Sequence, residues 1–90
     1  MTSRKLLEVE RTVNTYLMKN SALIANTNID IIPFTELKNI VPSKGDDPLL
    51  YDGYVLGVKE LEQLNSYLPE KINLEFDLHF YVLECYGIYE

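Results

Sequence analysis

The sequence predicts a small α+β domain in which a mixed sheet carries two short helices, in the order hairpin, helix, strand, helix, strand. Three observations lead there. Val58, Leu61, Leu64 and Leu68 recur at the spacing of one helical face, with Lys59, Glu60, Glu62 and Gln63 among them. Residues 72–86 alternate instead, placing Ile72, Leu74, Phe76, Leu78, Phe80 and Val82 on one face and Asn73, Glu75, Asp77, His79 and Tyr81 on the other. Between these regions and the amino-terminal half lies Pro42-Ser43-Lys44-Gly45-Asp46-Asp47-Pro48, dense enough in turn formers to interrupt any regular element.

From the start of the chain, residues 4–24 fit two periods. Leu6, Val9, Val13, Tyr16 and Leu17 match a helical face, whereas Leu7, Val9, Val13 and Leu17 match a strand. The β-branched and aromatic residues Val9, Thr12, Val13, Thr15 and Tyr16 favour the strand, and Asn14 among them suggests a hairpin turn. Residues 25–33 read as a polar connection running into a buried stretch. Phe34, Leu37, Ile40 and Val41 then predict a helix of about two turns, with Glu36 near its amino terminus and Pro42 ending it. After the turn-rich segment, residues 49–56 form a weaker strand candidate interrupted by Gly53. Gly57 opens the second helix and Pro69 closes it. The apolar final strand is expected at the centre of the sheet, with residues 51–56 nearer an edge.

Ninety residues leave room for one core, so residues 1–90 are read as a single domain. Hydrophobic residues make up 47% of the chain, enough to build that core without cross-links. The lone cysteine, Cys85, argues against a disulfide framework and for a reducing, cytoplasmic compartment. Glu8, Glu10 and Arg11 interrupt the amino-terminal region before an apolar run develops, which is not a secretory leader pattern. No apolar run approaches the roughly 18 residues needed to span a bilayer.

The formal charge of −6 is unevenly distributed. Residues 45–90 hold ten acidic residues against Lys59 and Lys71, whereas residues 1–44 hold six basic and four acidic ones. Such a field disfavours nucleic acid and anionic membrane surfaces and favours a basic partner.

Catalytic signatures are missing. Cys85 and His79 lie six positions apart on a strand, about 20 Å at the usual rise, which is too far for a thiolate and its base. Neither zinc-ligand spacing nor an EF-hand loop is present, and Lys44-Gly45 lacks the rest of a phosphate loop. Neither an enzyme activity nor a cofactor is therefore expected. Six of the seven tyrosines fall between residues 51 and 89, where large amphipathic rings beside carboxylates suit a protein interface.

Asp46-Asp47-Pro48, Tyr51-Asp52-Gly53-Tyr54, the leucine-rich helix ending in Tyr67-Leu68, Phe76-Asp77 and residues 81–86 together resemble an uncharacterised family of small bacterial α+β domains. The resemblance covers the second half of the chain and implies the same element order, with no activity attached. In size and character the chain also resembles immunity proteins of bacterial polymorphic toxins, including contact-dependent growth inhibition systems. That resemblance implies a stoichiometric inhibitor occluding the basic active site of a nuclease toxin. The expected contact residues are Asp46, Asp47, Tyr51, Asp52, Tyr54, Glu75 and Asp77, with the acidic turn exposed and tolerant of asparagine. A regulatory interaction module or a homodimer, with no toxin partner, remains the alternative.

Overall fold

The β-branched and aromatic residues of the amino-terminal segment form one long strand, β1 (Leu6–Leu17), which turns back into β2 (Leu23–Asn28). This structure is a computed structural model; it describes residues 6–89, with side chains described over 8–87. The stretch 1–5, read above for leader character, lies outside the described residues. The first two elements are thus the expected hairpin, but its turn is at residues 18–22 and not at Asn14. Ser21 adopts a positive φ of 58° there, and the Ala22 amide donates to the Asn20 side chain at 3.0 Å. Asn14 instead sits in the middle of β1, and residues 25–28, expected as a connection, form the last four residues of β2.

Helix α1 (Phe34–Ile40) starts behind Pro33, whose carbonyl accepts from the Glu36 and Leu37 amides, both at 3.0 Å. A turn-rich segment leads to the short strand β3 (Tyr54–Leu56), and α2 (Val58–Asn65) follows immediately. The Glu60 carboxylate reaches back to the Gly57 amide at 2.8 Å, satisfying one orphan donor at the α2 amino terminus. Tyr67, just beyond α2, donates to Glu36 of α1 at 3.1 Å and joins the two helical segments. The last described element is β4 (His79–Tyr89).

The sheet order is β2-β1-β4-β3, with β4 central and the three-residue β3 at an edge. Every pairing is antiparallel, so the expected mixed sheet is an antiparallel one. The reason is the β1–β4 ladder, which runs from Leu17 opposite His79 to Leu6 opposite Tyr89 and sets the direction of the neighbours at either side.

Helices cover one face of this sheet. Leu37 of α1 and Leu61 and Leu64 of α2 close a core over Val13 of β1, Tyr54 and Leu56 of β3, and Tyr81 and Leu83 of β4. This inverts the expected face of the final strand, in which Tyr81 pointed outward and Phe80 and Val82 inward. The strand also begins at His79 and not at residue 72. Residues 76–78 form a turn in which the Leu78 and His79 amides both donate to the Glu75 carbonyl, at 3.1 and 2.9 Å. Because side chains alternate with period two, this interruption swaps every later residue to the opposite face. Ile72 still reaches the core, and Phe76 packs edge-on against Tyr81 at 5.3 Å, but both do so from outside the sheet.

Candidate functional site

The expected contact residues separate into buried supports and exposed positions at two ends of the sheet. Asp47 is only 6% exposed and organises the loop before β3. One carboxylate oxygen accepts from the Tyr51 amide at 2.9 Å; the other accepts from the Asp52 amide at 2.9 Å and the Tyr54 hydroxyl at 2.6 Å. These donors favour the charged form, with the Tyr54 hydroxyl contributing most, and hold the Asp47 pKa below its ordinary value. Tyr54 is buried as well and accepts from the Lys44 amide at 3.1 Å. Asp47 and Tyr54 therefore shape the loop and are not available to a partner, which corrects the picture of an exposed turn indifferent to asparagine. The loop even holds the fully buried Leu50 at a φ of 56°, a left-handed conformation costly for leucine.

Asp46, Tyr51 and Asp52 do remain exposed. Asp52 lies 3.8 Å from Lys44, and the Tyr51 ring lies 5.9 Å from the Arg11 guanidinium. Arg11 is itself a brace: it stacks on Phe34 at 4.6 Å and donates to the Leu49 carbonyl at 2.6 Å, pinning the loop to β1. Glu75 and Asp77 are exposed at the other end, before His79. Between the levels of Cys85 and His79 the sheet extends about 20 Å, so the seven residues do not form one surface.

A better-formed surface lies on the sheet face away from the helices. Even-numbered residues of β1 and β4 point there: Glu8, Glu10, Thr12, Asn14 and Tyr16 beside Phe80, Val82, Glu84 and Tyr86. Asn26 of β2 extends it opposite Asn14, and Val55 of β3, 75% exposed, extends it opposite Val82. Among the described residues no helix covers this face, and its strand positions hold three glutamates and no lysine or arginine.

Asn14 is the keystone of that face. It is 1% exposed because neighbouring side chains close over it. Its amide nitrogen donates to one oxygen of the Glu84 carboxylate at 2.6 Å and to the Tyr86 hydroxyl at 2.9 Å, while its oxygen accepts from Thr12 at 3.1 Å and from Asn26. The Tyr16 hydroxyl donates to the same Glu84 oxygen. This bond, more than partial burial, pushes the Tyr16 pKa up and keeps it a donor. Tyr16 also stacks on Phe80 with ring centroids 5.1 Å apart. The face thus centres on a carboxylate held by Asn14 and Tyr16, with Tyr86 tied to the same Asn14 amide, beside an aromatic and aliphatic strip.

The reading from sequence did not single out Thr12, Asn14, Tyr16 or Glu84. The signal is the period-two pattern of polar and aromatic residues at 12, 14 and 16 and again at 80, 84 and 86, which a turn at Asn14 hides.

Residues 10–84 match the DUF7683 family, a domain of unknown function. The chain belongs to that family. The match includes the amino-terminal hairpin, which the resemblance confined to the second half did not cover. It runs from Glu10 to Glu84, so the DUF7683 region takes in Asn14 and its partners except Tyr86. No curated protein and no solved structure matches the chain.

His79 and Cys85 lie on the helix-facing side of β4, six positions apart. Burial pushes the Cys85 thiol up, which keeps it protonated and a poor nucleophile. His79 Nδ1 lies 3.8 Å from the Glu75 carboxylate. Among the described residues no three of histidine, cysteine, aspartate and glutamate gather as a metal-ligand set, and no helix is long and apolar enough to cross a membrane.

Proposed function

We propose that this protein is a non-catalytic acidic binding protein that docks a basic protein partner on the open face of its sheet. The partner in this reading is a bacterial toxin domain, which the protein inhibits as an immunity protein by covering its basic active site. The observation that carries the reading is a sheet face that no helix covers among the described residues, where Glu8, Glu10 and Glu84 share the surface with Tyr16, Phe80, Val82, Tyr86 and Val55 and no described strand position holds a lysine or arginine. A core of aromatic and aliphatic side chains with charge at its margin is the usual composition of a protein interface. The carboxylates repel phosphate backbones and attract a cationic surface, raising the rate of encounter. A homodimer through the same face would set three glutamates of one copy against three of the other, so like-charge repulsion favours the heterologous partner.

The test expresses a candidate toxin domain, encoded beside the gene for this chain, in a cell with and without the chain. Relief of growth arrest by the wild type, abolished by Glu10→Lys combined with Tyr86→Ala, is the expected result. Arrest that the wild-type chain leaves untouched would overturn the toxin-inhibitor reading. Relief that survives the double substitution would move the docking surface elsewhere.

A further inference from the structure

We infer that the Glu84 carboxylate, between Tyr16 and Tyr86, is a receptor for a single arginine side chain of the partner. This inference rests on the docking reading above and names the anchor within it. The hydrogen bonds from Asn14 and Tyr16 converge on one oxygen, Oε2. Among the described residues the other oxygen, Oε1, has no hydrogen-bond partner, and Glu84 is only half-buried. The carboxylate is therefore fixed in orientation by one oxygen and offers the other, already partly desolvated, to an incoming donor. Preorganisation of this kind raises affinity because the side chain has little freedom left to lose.

The flanking groups select the donor. Tyr86 is 45% exposed and uses its hydroxyl oxygen as an acceptor for Asn14, so part of its ring stays open to solvent beside Glu84. Tyr16 is held against Phe80 and cannot rotate away without breaking that stack. A planar cation can lie against an aromatic ring while donating in its own plane to the carboxylate, which suits guanidinium better than ammonium. The nearby glutamates, Glu10 opposite Tyr86 and Glu8 beyond it, add attraction, and the described strand positions of this face hold no lysine or arginine.

The experiment titrates the isotopically labelled chain with acetyl-Gly-Arg-Gly-amide and, separately, with the lysine and citrulline counterparts, following backbone and side-chain amide resonances by NMR. Saturable shifts of the Asn14 side-chain amide and of the Tyr16, Glu84 and Tyr86 backbone amides are expected with the arginine peptide. Binding should be at least about threefold weaker for lysine and undetectable for neutral citrulline. Glu84→Gln should weaken arginine binding by about tenfold. Tyr86→Ala, at an exposed position, should weaken it by about threefold and serves if the first variant does not fold. Equal binding of the lysine and arginine peptides would overturn the arginine receptor while leaving an acidic docking face standing. Shifts confined to other surfaces, or no arginine binding in this range, would also overturn it; inhibition of a toxin is read independently in the growth assay.

Discussion

Replacing Tyr81 by alanine is expected to destabilise the domain by about 3–5 kcal/mol, the usual cost of deleting a large buried aromatic side chain. Tyr81 is fully buried in β4 and packs against Phe76 at 5.3 Å. Its hydroxyl also organises the chain before the strand, donating to the Asn73 carbonyl at 2.8 Å and accepting from the Glu75 amide at 2.8 Å. Tyr81→Phe keeps the ring and strands those two backbone groups, so it should cost a smaller but measurable amount, about 1–3 kcal/mol. Urea denaturation of the two variants separates packing from hydrogen bonding. A loss below about 1 kcal/mol for Tyr81→Ala would mean that Tyr81 does not face the core and that the register of β4 is wrong.

The second large effect is expected at Asp47. Asp47→Ala removes the acceptor for two backbone amides and a buried tyrosine hydroxyl, and should lower the melting temperature by roughly 10 °C. Asp47→Asn should lower it less, because the amide keeps one acceptor oxygen but presents donors toward groups that also donate. The pH dependence has a definite sign. Since the folded pKa lies below the ordinary 3.8, the contribution of the carboxylate is present above that value and is lost as pH falls through the folded pKa. The gap in melting temperature between wild type and Asp47→Asn should therefore be widest near neutral pH and narrow on acidification below about 4. A gap that is constant across that range would mean that Asp47 is not a buried anionic hub.

These two residues also show what could be read from the sequence. The element order was legible because each helix has a one-sided apolar pattern, the last strand an alternating one, and the ambiguous first segment enough β-branched and aromatic residues to favour strands. Asp47 was visible as an acid in a turn, but its burial was not. A loop aspartate that accepts from amides four and five residues ahead looks, in sequence, like any solvated turn aspartate. Tyr81 was assigned to the wrong face because the turn at 76–78 breaks an alternation that the residue types continue through it. An isolated asparagine reads as a turn residue; the place of Asn14 in a strand depends on Glu84, Tyr86 and Asn26, distant in sequence or on another strand. The open face was therefore hidden until β1 and β4 were paired, since neither strand alone carries the site.

Site-specific photo-crosslinking tests the central claim most directly. A benzophenone amino acid placed at Tyr86 or Val55, both exposed on the open face, should capture the toxin domain proposed as the partner. The same group at Lys59 or Tyr67, exposed on the helical side, should capture none of it. Adducts formed from the helical positions, with none from Tyr86 or Val55, would contradict docking through the open sheet.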